Sequence, residues 1–117
     1  MEFKYEKLVN MIVKIIYKSK LNFETIVENI DEKIKYFKSS YNGVVGDYFE
    51  ILENGIRVRA FNEGPVPDGY IYIKYVTLRS LIFDFIVQGE NGCIPCVLPK
   101  EFYITILSNV REKIKCW

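Results

Sequence analysis

The stretch between Gly69 and Gly89 constrains the fold most strongly, because it is rich in aromatic and β-branched residues and contains no proline. In its first half, isoleucine alternates with tyrosine or lysine at every second position, which is typical of a half-buried strand. The residues on the two sides of that predicted strand are Ile71, Ile73 and Tyr75, and Tyr70, Tyr72 and Lys74. The rest of the chain must cover the apolar side.

The second half of this stretch has no clear period. Residues 81–87 are apolar except for Asp84, which fits either a strand buried on both faces or a short helix with Thr77 as its N-cap. Isoleucine, phenylalanine and valine suit a pleated surface, so we expect a second strand here. Asp84 would then be buried beside a partner such as Arg79, and a structural role is favoured over acid–base chemistry.

Three other segments have apolar residues at helical spacing with charged residues opposite. They predict helices over residues 3–19, over residues 22–38 and from Pro99 towards the last residues of the chain. Asn22 suits an N-cap, and proline suits a first helical turn. The apolar stripe of the second helix keeps its phase through residues 29–31, so we expect one continuous helix and not a helix-turn-helix motif.

The dipeptide Asn54-Gly55 is the clearest turn signal, since alternating residues flank it on both sides. We expect a two-residue type I′ hairpin turn centred on this pair, because both central residues accept positive φ. The register that follows pairs Ile51 with Val58 and Glu50 with Arg59 across the two strands.

These segments together predict a small single α+β domain over residues 1–117, with an antiparallel sheet of about five strands packed against two N-terminal helices and one C-terminal helix. The last strand covers residues 93–98, and Pro95 assigns it to an edge because proline cannot donate a ladder hydrogen bond. A chain of 117 residues, half of them apolar, supplies enough side chain for one core.

The complete absence of histidine narrows the possible chemistry. It excludes histidine-based acid–base catalysis, Ser-His and Cys-His nucleophile pairs, and zinc sites that contain histidine. The sequence also has no phosphate-binding or dinucleotide-binding glycine pattern and no metal-ligand cluster. We therefore expect a protein that is not an enzyme and needs neither a cofactor nor a metal.

Cys93 and Cys96 form a C-x-x-C pair ahead of a predicted helix, which is the arrangement of thiol oxidoreductases. A second interpretation is that the pair supplies two of the four cysteine ligands of a zinc site shared between two copies of the chain. The favoured interpretation is that both are small apolar residues on an edge strand. Three cysteines without a secretion signal favour a reducing compartment, so we expect a cytoplasmic protein with no membrane span.

Aromatic and arginine residues are predicted on the outer face of the hairpin and the strand after it, unless helices cover that face too. This composition is typical of protein interfaces. The candidates are Tyr48, Arg57, Arg59, Phe61, Tyr70, Tyr72 and Lys74. The expected function is a non-enzymatic binding or regulatory protein that contacts an unidentified protein and forms a homodimer.

Nucleic-acid binding is the alternative function. Lys7, Lys14 and Lys18 lie on the charged side of the first helix and suit contacts to phosphates, and the sheet aromatics suit base stacking. A net charge of +1 gives no strong field towards nucleic acid, so the protein interface is favoured.

Overall fold

A computed structural model of the chain describes residues 5–39, 49–60, 69–88 and 100–115. The described residues form four helices and three strands. In chain order these are α1 (Glu6–Ser19), α2 (Phe23–Ser39), β1 (Phe49–Ile51), β2 (Gly55–Ala60), β3 (Gly69–Lys74), α3 (Tyr75–Gln88) and α4 (Lys100–Lys115).

The core lies between the apolar sides of the four helices, where α1 packs on α3 and α4, and α2 packs on the same two helices. At the contact between α2 and α4 the rings of Phe37 and Tyr103 stack with their centroids 4.6 Å apart. Both side chains are buried. The residues that α1 contributes are Leu8, Val9, Ile12, Val13 and Ile16, at the spacing that the sequence predicted.

The first two helices confirm the sequence prediction. Asn22 caps α2, since its side-chain oxygen accepts hydrogen bonds from the backbone N–H groups of Glu24 at 2.8 Å and Thr25 at 3.2 Å. The helix continues without a break to Ser39, so no helix-turn-helix forms there. Between α1 and α2 the chain turns at Lys20, which has a left-handed backbone with φ 58°.

The predicted strand over residues 81–87 is wrong, because this segment belongs to helix α3. The buried residues of α3 recur at helical spacing and face α1 and α2. They are Tyr75, Leu78, Ile82, Phe85 and Ile86. Asp84 is exposed, so it interrupts the apolar run on the solvent side of a helix and is not a buried carboxylate. Packing against two other helices outweighs the weak β-propensity of these residues.

The predicted fold class is therefore wrong for the described residues, which contain a three-stranded antiparallel sheet in the order β1-β2-β3 and a fourth helix. The broader part of the prediction, a mixture of helices with an antiparallel sheet, agrees with the structure. The strand predicted over residues 93–98 lies outside the described residues.

The hairpin between β1 and β2 forms, but its register differs from the prediction. Ile51 pairs with Ile56, and Glu50 pairs with Arg57, which is a shift of two residues along one strand. A shift by an even number leaves each side chain on its predicted face. Glu53 and Asn54 are the two loop residues, and the N–H of Leu52 donates to the carbonyl oxygen of Gly55 at 2.8 Å.

The type I′ turn is also wrong, because neither Asn54 nor Gly55 has a positive φ. Gly55 is needed for a different reason: a Cβ at this position would overlap the carbonyl oxygen of Ile73 on β3. The close approach of β2 to β3 therefore explains the glycine. None of the helices in the described part of the chain has the length and hydropathy of a membrane span.

Candidate functional site

The outer face of the sheet carries a cross-strand row formed by Glu50, Arg57 and Tyr72, one residue from each strand. The Arg57 guanidinium forms an ion pair with the Glu50 carboxylate, and both side chains remain partly exposed. Tyr72 is 48% exposed. The helices of the described residues thus leave this row open to solvent. The backbone register also sets Arg59 opposite Tyr70.

The structure separates one lysine of the predicted nucleic-acid stripe from the other two. Lys14 and Lys18 are exposed on α1. The Lys7 ammonium instead contacts the hairpin loop, where it donates to the Glu53 carbonyl oxygen at 3.1 Å and to the Asn54 side-chain oxygen at 3.2 Å. Four further candidates lie outside the described residues, namely Tyr48, Phe61, Cys93 and Cys96.

A cleft of about 430 Å³ lies beside the outer row, between α1, the hairpin loop and the point where β3 continues into α3. Its polar lining consists of Lys7, Asn54, Tyr72, Lys74 and Tyr75. Met11 and Val76 supply apolar surface. The cleft thus joins Lys7, a predicted nucleic-acid residue, to Tyr72 and Lys74, which were predicted for a protein interface.

Tyr75 attaches the hairpin loop to α3 through two hydrogen bonds. Its backbone N–H donates to the Asn54 carbonyl oxygen at 3.0 Å, and its hydroxyl donates to the Leu52 carbonyl oxygen at 2.7 Å. The ring also lies 5.9 Å from the Lys7 ammonium, within the range of a weak cation–π contact. Both helices therefore fix the loop that forms one wall of the cleft.

Tyr75 interacts electrostatically with two other tyrosines, Tyr5 and Tyr72. Burial raises the pKa of Tyr75 above its ordinary value, and the neighbouring Tyr72 raises it further. Burial also raises the pKa of Tyr5, with Tyr75 as the second cause. Both hydroxyls are therefore protonated at neutral pH, and the Tyr75 hydroxyl donates to the Leu52 carbonyl oxygen.

Several donors at the cleft have no acceptor within the described part of the chain. They are the Lys74 ammonium, the Tyr72 hydroxyl and the side-chain NH2 group of Asn54. The lining includes two lysines and no carboxylate. An anion is the ligand that such a set of groups favours.

Sequence reasoning missed Asn54 and Tyr75 as site residues. Asn54 was assigned to a turn and Tyr75 to the apolar side of a strand, and no local pattern shows that α1 approaches the hairpin loop. The contact between Lys7 and residues 53–54 joins positions about 46 apart in the chain, which periodicity does not detect.

Lys33 differs from the lysines described above, because it is buried in the helical core at 2% exposure. Its ammonium lies 4.3 Å from the centroid of the Phe85 ring, a cation–π contact that offsets part of the cost of burial. Lys33 thereby links α2 to α3 and is not part of the cleft.

Among the described residues, no three histidine, cysteine, aspartate or glutamate side chains come together in a way that could hold a metal ion. Comparisons of the chain with models of protein families, with curated proteins and with solved structures give no significant match.

Proposed function

We propose that the protein is a non-enzymatic binding protein that acts through protein–protein contacts made by the outer row of Glu50, Arg57 and Tyr72. The exposure of this row supports the proposal. Tyrosine and arginine contribute most of the binding energy in many interfaces, because they bury a large area and still form polar contacts. The backbone pairing of Arg59 with Tyr70 lies two residues further along β2 and β3.

The partner that we propose is a second copy of the chain. A twofold interface brings the same surface of two subunits together, so the surface must complement itself. The outer row meets this requirement, because it contains one carboxylate and one guanidinium. Their ion pair within one chain is partly exposed and contributes at most about 1 kcal/mol, so it exchanges at low cost for pairs between Glu50 of one copy and Arg57 of the other.

The chemistry of the sequence supports a binding role over catalysis, since the chain contains no histidine and its carboxylates are scattered. The odd number of cysteines supports a cytoplasmic location, because such chains suit a reducing compartment. Nucleic-acid binding through α1 has less support, because Lys7 is bonded to the hairpin loop and only Lys14 and Lys18 of the stripe extend freely from the helix.

The test is the molar mass of the protein by size-exclusion chromatography with light scattering, at about 150 mM salt and at concentrations from about 1 to 100 µM. We expect a dimer whose affinity falls when Arg57→Glu places two carboxylates on each copy. The double variant Glu50→Arg with Arg57→Glu restores opposite charges and should restore the dimer.

Lys14→Glu is the matched control, because it reverses an exposed charge on α1 and leaves the outer row intact. A wild-type protein that stays monomeric up to the highest concentration would refute the homodimer. A dimer that Arg57→Glu and Lys14→Glu weaken equally would place the interface elsewhere. Tight binding of labelled oligonucleotides with a steep salt dependence would favour the alternative function.

A further inference from the structure

The cleft beside the outer row has the properties of a small-molecule site. Its volume of about 430 Å³ lies within the range of about 300–1,000 Å³ that is usual for such sites. Two helices and a hairpin loop form its walls, and Lys7 and Tyr75 hold that loop in place through four hydrogen bonds. The cleft is therefore formed before any ligand arrives.

The charge of the lining selects an anion. Lys7 and Lys74 contribute two positive charges, and the lining includes no acidic side chain. Two of the three Lys7 N–H groups donate to the hairpin loop, which leaves one of them for a ligand. Lys74 has no hydrogen bond or ion pair in the described part of the chain, so its whole ammonium is available to a ligand. Tyr72 and Asn54 add uncharged donors. Such a set suits the three oxygens of a phosphate group better than a single acceptor.

The apolar part of the lining favours a ligand that also has an aromatic ring. Val76 is 50% exposed and Tyr72 is 48% exposed, and both lie at the cleft together with the ring of Tyr75. A flat ring placed on these side chains removes apolar surface from water and stacks on an aromatic side chain.

We infer that this cleft binds a small aromatic phosphate, with the phosphate between Lys7 and Lys74 and the ring against Tyr72 and Val76. The site lies next to the proposed dimer surface, and the two charged residues of that surface, Glu50 and Arg57, do not line the cleft. Tyr72 is the residue that both share.

The experiment is a titration of the isotope-labelled full chain followed by backbone amide NMR signals, with phenyl phosphate as the probe. Inorganic phosphate and phenol are the matched probes, because each carries one half of phenyl phosphate. We expect saturable shifts for Lys7, Asn54 and residues 72–76, and an affinity for phenyl phosphate about fivefold or more above that for either half.

Two variants test the assignment of the phosphate. Lys74→Gln should weaken phenyl phosphate about fivefold, which is the upper end for one exposed charge contact, and Lys14→Gln should not change it. Val76→Glu introduces a carboxylate at an exposed position of the cleft and should abolish binding, which provides a second test if Lys74→Gln is poorly folded.

The inference is overturned if phenyl phosphate binds no better than inorganic phosphate, if Lys74→Gln and Lys14→Gln behave alike, or if the shifts cluster away from the cleft. Arg57→Glu changes no residue that lines the cleft, so a monomeric Arg57→Glu variant should still give saturable shifts at the cleft with phenyl phosphate. Failure of the homodimer and failure of the cleft as a binding site are therefore separate results.

Discussion

Replacing Gly55 with alanine tests the close approach of β2 to β3. The added Cβ would overlap the carbonyl oxygen of Ile73 and lie 3.0 Å from both the Cα of Lys74 and the hydroxyl of Tyr72. Two of these three atoms belong to the backbone of β3, so the strands must separate locally. Overpacking of this kind costs about 1–3 kcal/mol.

Two smaller effects modify that magnitude. Alanine lowers the conformational entropy of the unfolded chain, which stabilises the folded state by about 0.4–1 kcal/mol. This gain applies because Gly55 does not need a left-handed backbone. Movement of the strand weakens the hydrogen bond from Leu52 to the Gly55 carbonyl oxygen, which contributes about 1 kcal/mol. We expect a net loss of about 2 kcal/mol in the free energy of unfolding, or about 8 °C in Tm for a chain of this length.

The assay is urea unfolding followed by circular dichroism, with Glu53→Ala as the control because Glu53 is exposed in the same loop. A third variant, Gly55→Asn, separates two explanations of the glycine. Asparagine tolerates positive φ and would be mild in a type I′ turn, whereas a steric limit makes it at least as harmful as alanine. If Gly55→Ala is as stable as Glu53→Ala to within about 0.5 kcal/mol, the reasoning is refuted.

Two further predictions concern the core and the tyrosines. Phe37→Ala should lower the free energy of unfolding in urea by about 3–5 kcal/mol, because the buried Phe37 ring stacks on Tyr103. Phe23 is 37% exposed, so Phe23→Ala should lower it clearly less. Equal losses would contradict the assigned core. The raised pKa of Tyr75 means that its contribution to stability is fully present below about pH 10 and is lost as the pH rises through the folded-state pKa. Tyr75→Phe should therefore flatten the alkaline decline in unfolding free energy between about pH 9 and pH 11, and an unchanged decline would show that Tyr75 does not cause it.

The elements with strong local signals were predictable from sequence. The apolar stripes of α1 and α2 and the cap at Asn22 depend on contacts within a few residues, and the structure confirms them. The strand prediction within segment 75–88 was wrong because apolar residues occupy both the buried and the exposed sides of this helix. Val76 and Val87 are among the exposed ones. The helical period of the segment was hidden, and tertiary packing decided its conformation.

The candidate site was predictable only in part. Alternation along β3 correctly grouped Tyr72 with Lys74, because that pattern is a property of one strand. The cleft also needs Lys7 from α1 and Asn54 from the loop, and their meeting depends on how the hairpin docks on the helices. A single sequence contains no local record of that docking.

The two-residue difference between the predicted and observed hairpin registers has a consequence for folding. Both registers keep the same side chains on the same face, so the hydrophobic pattern does not discriminate between them, and the Asn54-Gly55 turn favours the register that the protein does not use. The choice is made from outside the hairpin, by Lys7, by Tyr75 and by the fit of Gly55 against Ile73. We therefore expect this segment to have a competing register, which the local turn preference favours and the native contacts disfavour. We expect an excised peptide of residues 49–60 to be free to adopt it, because the peptide lacks α1, β3 and α3, which make the native pairing the stable one.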